Sequence, residues 1–193
     1  MASTSTFVVS GLPRSGTSMA MQMLVAGGIE PLTDGLRAAD LDNPRGYFEF
    51  ERVKALRTDK GWLDEARGKV VKVIHMLLPE LPDDRSYGVI FVERDLREVV
   101  KSQATMLARS GRAGAQLPPE RLMAMYEAQL KQVDAWLAAR PNFRVLRVAH
   151  AALVREPRPE ADRIAAFLAS DGVALDVERM CGAVDPSLHR NKA

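Results

Sequence analysis

The sequence predicts an α/β fold, a three-layer sandwich around a central parallel sheet. Three observations carry that reading. The runs Val70–Ile74, broken only by Lys72, and Val89–Val92 are short and β-branched, as strands buried on both faces are. Segments with helical apolar spacing separate them, so strands and helices alternate. The first apolar run, Phe7–Val9, leads through a Gly/Pro-rich loop straight into a helix.

In order, the elements follow from local signals. Met19–Ala26 is apolar on nearly every face and stops at Gly27 and Gly28, so it is read as a buried helix against the sheet. Val70–Ile74 and Val89–Val92 are the next strands. Leu96–Arg109 carries Val99, Val100, Met106 and Leu107 on its apolar side. Pro118 and Pro119 open a longer helix with Leu122, Tyr126, Leu130, Val133 and Leu137 in register. Phe143–Val148 alternates with Arg144 and Arg147 as a strand, and Glu160–Ala169 closes the pattern as a helix. Residues 110–119 and 40–46 are read as loops, the former as a candidate lid.

The 193 residues are expected to form one domain, long enough to bury a core. At 47% hydrophobic and 27% charged, the composition is globular. With 27 basic and 25 acidic residues, the formal charge of +2 does not point to nucleic acid as the partner. The single cysteine, Cys181, allows no internal disulfide, and the three histidines lack zinc-ligand spacing. No leader pattern and no apolar run of roughly 18 residues is visible, so a cytoplasmic protein without a membrane span is expected.

The chemistry concentrates in two stretches. In "SGLPRSGTSMA", Gly11 and Gly16 have the spacing of a phosphate-binding loop, but Thr17 stands where ATP- and GTP-binding loops carry lysine. Backbone N–H groups at the helix start, the Thr17 and Ser18 hydroxyls and the Arg14 guanidinium favour an anion site over the alternative, a plain strand-helix turn with Ser18 near the cap and Arg14 in water. Without the lysine, metal-assisted phosphoryl transfer loses its usual contact to the β- and γ-phosphates. In "VIFVERDLREVVKSQ", Arg94 leaves the carboxyl end of a strand, where open α/β sheets bind ligands. Asp95 and Glu98 have capping-box spacing, and Ser102 lies eight residues after Arg94, about two helical turns. Alone, this second stretch reads better as a well-capped helix with a solvated arginine and an idle serine.

Together the two stretches resemble the sulfotransferase branch of the P-loop fold, whose donor is 3′-phosphoadenosine 5′-phosphosulfate (PAPS). "LPRSGTS" is similar to that family's 5′-phosphosulfate loop, and "RDLREVVKS" to its 3′-phosphate motif. "NPRGYFEFERVKAL", "GKVVKVIH" and "DPSLHR" are similar to a compact bacterial group within it. The resemblance implies a P-loop-like α/β domain that moves a sulfuryl group from PAPS to a hydroxyl or amine, in line and without metal. It implies a donor loop of Pro13, Arg14, Ser15, Gly16, Thr17 and Ser18, with Arg14 near the bridging oxygen and Arg94 and Ser102 on the 3′-phosphate. It also places a catalytic histidine after a lysine, which here is His75; Glu49 and Asp34 are rival bases. The family's late R-K-G segment is missing, and Arg190 and Lys192 are its candidate replacements. Trp62 and Trp136 are candidate adenine stackers. Met76, Leu77 and Tyr47 permit an apolar acceptor. Two other functions stay open: a small P-loop kinase using Glu93 as a metal-binding acid, and a nucleotide-binding protein without turnover.

Overall fold

In a computed structural model the structure describes residues 5–40, 43, 45–110, 117–185 and 187. Four strands, β1 (Thr6–Gly11), β2 (Val70–Lys72), β3 (Tyr87–Glu93) and β4 (Phe143–Ala149), form one sheet in the order β2-β1-β3-β4. All three pairings are parallel, with Val9 opposite Ile90 and Lys72, and Val92 opposite Val148. The chain leaves β1 toward β2 and then crosses back to β3. The switch point therefore falls between the carboxyl ends of β1 and β3, where such sheets bind ligands.

The period-two alternation of the strands sorts two cores. Val8, Val71, Val89, Phe91 and Phe143 face a layer formed by α3 (Pro119–Ala138) and 3₁₀ turns that include Trp62, Leu63 and Leu78. Phe7, Val9, Ile90, Val92 and Val148 face α1 (Thr17–Ala26), α4 (His150–Arg155), α5 (Pro157–Ala169) and α6 (Val177–Gly182). This is the three-layer sandwich expected from the sequence. Leu12, Val99, Val100, Leu122 and Tyr126 form a third cluster, which ties the loop after β1 to α2 (Leu96–Ser110) and α3.

Several boundaries differ from the sequence reading for identifiable reasons. The loop hands over to α1 at Thr17, two residues before the apolar run begins. Strand β2 ends at Lys72 because a 3₁₀ turn with Pro79 inside it starts at His75. Helix α4 is only six residues long, too short to show an apolar period. Both tryptophans are structural: Trp62 is fully buried with Nε1 donating to the Asp59 carbonyl, and Trp136 packs edge-on against Phe143. Residues 111–116 of the candidate lid at 110–119, Arg190 and Lys192 lie outside the described residues. Among the described residues, no helix is long and apolar enough to cross a membrane.

Candidate active site

The loop between β1 and α1 is held in a shape that few sequences tolerate. Gly11 has φ +148°, and a Cβ there would sit 2.6 Å from both Ser15 Oγ and the Val92 carbonyl oxygen. Gly16 caps α1 at φ +102°, with His150 so close that a Cβ would meet its Cδ2 at 2.4 Å. Arg14 itself adopts φ +70°, a left-handed conformation that costs a β-carbon-bearing residue on the order of 1–2 kcal/mol. No acidic residue occupies the first turn of α1, so its N-terminal N–H groups face the cleft without a competing carboxylate.

Arg94, at the end of β3, holds the loop from below. Its Nη1 donates to the Arg14 carbonyl at 3.0 Å, and its Nε to Glu98 Oε2 at 2.8 Å. Asp95 caps α2 through the Arg97 N–H, as its position predicts. Two turns along α2, the buried Ser102 hydroxyl accepts a hydrogen bond from Arg14 Nε at 3.1 Å. The two motifs, eighty residues apart, thus meet in one hydrogen-bonded unit.

These residues open onto a cleft of about 900 Å³. Pro13, Arg14, Gly16, Thr17, Ser18, Arg94 and Ser102 all line it. Ser15 does not. Its side chain turns to a separate cavity of about 130 Å³ behind the loop, and its N–H is spent on the Leu12 carbonyl at 3.1 Å. Glu93 also lies on that rear cavity, where it pairs with Arg147 at 2.6 Å.

Lys72 is the cation that the sequence reading passed over. It interrupts a buried strand, it is 9% exposed, and its Nζ donates to Ser18 Oγ at 3.3 Å and to the Tyr47 carbonyl. Glu49 Oε1 lies 3.4 Å from the same nitrogen. Burial lowers the Lys72 pKa to about 8, against the pull of Glu49. Glu49 is also clasped by Arg37 at 2.6 Å, and the Arg37 guanidinium lies 3.4 Å over the Tyr47 ring. His150, at the start of α4, is a further wall residue that no spacing signal marked.

The expectation that His75 faces the cleft is corrected. The 3₁₀ turn that begins at His75 buries the ring to 1% exposure and brings its Nε2 to 3.0 Å from Gln129 Oε1 on α3. Burial lowers its pKa despite that hydrogen bond. Ile74, its neighbour, lines the cleft instead. Asp34 is likewise absent from the lining, because its carboxylate accepts the N–H groups of Glu51 at 2.6 Å and Leu36 at 3.0 Å and braces the loop. Of the three candidate bases, Glu49 is the one on the cleft.

No family model matches the sequence, and no curated protein matches it. Solved structures do. The sulfotransferase domain from the curacin biosynthetic pathway superposes with a TM-score of 0.50 at 14% identity, over 98% of this chain and 90% of that one. The sulfotransferase from Alicyclobacillus acidocaldarius gives 0.52 at 17% identity, over 95% and 87%. The chain has the sulfotransferase fold. Retinol dehydratase, solved with androsterone and the inactive cofactor PAP, shares this fold at a TM-score of 0.51 and 17% identity, over 95% of this chain and 64% of that one. In this fold, the loop after β1, Arg94 and Ser102 line the cleft at the sheet's switch point.

Proposed function

We propose that this protein is a PAPS-dependent sulfotransferase that moves the sulfuryl group directly to a hydroxyl or amine of its acceptor. The observation that carries the reading is the junction of the two anion motifs. Arg14 bonds Ser102 at 3.1 Å while Arg94 bonds the Arg14 carbonyl at 3.0 Å, so both motifs bring their sets of phosphate donors to one cleft. A donor bearing phosphates at both its 5′ and 3′ positions uses both sets, whereas ADP or ATP leaves the second without a partner. The retinol dehydratase complex with PAP supports a bisphosphate ligand on this fold.

The residues then divide the work. The start of α1 at Gly16, Thr17 and Ser18 holds the 5′-phosphate through N–H groups and hydroxyls. Arg94 and Ser102 hold the 3′-phosphate. Arg14 and Lys72 face charge that builds as the sulfur–oxygen bond to the leaving phosphate breaks and the bond to the acceptor oxygen forms. Glu49 accepts the acceptor's proton, and Arg37 and Lys72 hold that carboxylate in place. Ser15 stays behind the loop and braces it. The kinase reading needs Glu93 at the phosphates, but Glu93 sits on the rear cavity with Arg147.

The test is transfer itself. Full-length protein incubated with ³⁵S-labelled PAPS and a broad acceptor panel, in EDTA, is expected to yield labelled product and 3′,5′-adenosine bisphosphate. Transfer from γ-labelled ATP with Mg²⁺, and none from PAPS, would overturn the proposal.

A further inference from the structure

The cleft is not uniform. Its α2 side, around Arg14, Arg94 and Arg109, is cationic and carries no lining carboxylate. The opposite wall, which includes Gln22 of α1, Arg37, Asn43, Glu49, Glu51 and Lys54, alternates acids, bases and amides. Glu51 pairs with Lys54 at 2.7 Å, Arg37 with Glu49 at 2.6 Å, and Gln22 Nε2 donates to Asn43 Oδ1 at 3.2 Å. Tyr47 is the one aromatic residue among the lining side chains, and Arg37 already covers its ring. Leu36 and Ile74, both well exposed, present aliphatic surface beside this wall, and Met19, Met106 and Val154 line the cleft outside it.

Of the apolar acceptor residues expected from the sequence, Tyr47 lines the cleft and the other two do not. Leu77 packs onto the core, and Met76, though 49% exposed, does not line the cleft; neither does Met125 on α3. A flat apolar phenol or an alkyl alcohol entering here would strip water from the exposed Glu51 and Lys54 without replacing its hydrogen bonds. A ligand rich in hydroxyl groups replaces that water bond for bond, since carboxylates and amides present paired acceptors and donors to neighbouring hydroxyls. Leu36 and Ile74 suit the C–H face of a sugar ring. At about 900 Å³ the cleft is at the upper end of the 300–1,000 Å³ range of single-ligand sites, room for a donor and a second polar molecule.

We propose that the acceptor is a polyhydroxylated, carbohydrate-like alcohol, held against the wall of Gln22, Asn43, Glu51 and Lys54 with one hydroxyl directed to Glu49. This rests on the sulfotransferase reading above. In the transfer, that hydroxyl oxygen bonds to sulfur, its proton passes to Glu49, and the bisphosphate leaves with the electrons of the broken sulfur–oxygen bond.

The test uses full-length protein saturated with 3′,5′-adenosine bisphosphate. Saturation-transfer NMR against maltose, lactose and N,N′-diacetylchitobiose is compared with 2-naphthol and 1-octanol, and the same compounds serve as acceptors for labelled PAPS. Sugars are expected to show the saturation signal and to take the label. Glu51→Gln and Lys54→Met should each weaken the sugar response by about tenfold while bisphosphate affinity stays within about twofold. Signal and label on naphthol or octanol with none on the sugars overturns the proposal, as does no signal from either class or a sugar signal indifferent to both substitutions. Failure of the bisphosphate to bind at all strikes instead at the sulfotransferase reading.

Discussion

Arg14 Nε lies 3.1 Å from Ser102 Oγ, so the phosphate loop and helix α2 are joined through side chains 88 positions apart. In the proposed mechanism the contact links Arg14, assigned to the reacting group, to Ser102, assigned to the 3′-phosphate. Arg14→Ala is expected to lower kcat by about 10²–10³-fold, the usual cost of losing a donor aimed at developing charge, with bisphosphate Kd changed by less than about fivefold. Ser102→Ala should show the reverse pattern, a Kd about tenfold weaker and a smaller loss in kcat. Calorimetry and steady-state kinetics on both variants check the split; equal losses in both constants would place the two residues in one role.

Gly16 is irreplaceable for two reasons that act together. Its φ of +102° is strained for any side chain, and a Cβ would press on the His150 ring at 2.4 Å. Gly16→Ala should destabilise the fold by about 1–3 kcal/mol and abolish measurable bisphosphate binding. A variant that binds normally would show that the loop's start is not the 5′-phosphate site.

Lys72 sits in the fold at a cost. Its pKa of about 8 against 10.5 for a free lysine corresponds to a penalty on the order of 3 kcal/mol for keeping the charge buried at neutral pH. Between pH 8 and 10.5 the unfolded chain binds more protons than the folded one, so stability rises with pH across that window. Lys72→Met should therefore fold at least as stably at pH 7, lose that rise in denaturant titrations, and lose most of its turnover. In the wild type, kcat/KM for the donor should fall as pH rises through about 8, with the kcat limb displaced upward because a bound anion favours the charged amine.

The proposed mechanism gives the base role to Glu49, which lines the cleft, rather than to the buried His75. His75→Ala removes a buried ring and its bond to Gln129, so thermal stability should drop while kcat stays within about tenfold of wild type. Glu49→Gln should leave bisphosphate binding intact and lower kcat by about 10²–10⁴-fold. The opposite pattern would return the base to His75.

Much of this was legible in the residues, because the strands are short and β-branched and the anion motifs are local. The loop, Arg94 and Ser102 could each be named from spacing, since a strand end and a helix phase fix where such side chains emerge. The rest depended on contacts between distant segments. Nothing in "VKVIH" shows that a 3₁₀ turn starts at His75 and sends Ile74 to the cleft. Nothing in "GYFEF" shows that Glu49 meets Lys72 from a strand twenty residues on. Ser15 and Glu93 belong to the right segments but turn toward the rear cavity, a matter of side-chain direction that a motif does not encode.

The central claim is a donor site for a nucleotide phosphorylated at both its 5′ and 3′ positions. Isothermal titration calorimetry of the full-length protein with 3′,5′-adenosine bisphosphate in EDTA, against 5′-ADP with and without Mg²⁺, tests it most directly. The account predicts metal-independent binding of the bisphosphate at least about tenfold tighter than ADP, the worth of about 1.4 kcal/mol from the second phosphate set. It also predicts that Arg94→Ala erases that preference. ADP with Mg²⁺ binding as tightly as the bisphosphate, or a preference that survives Arg94→Ala, would contradict it.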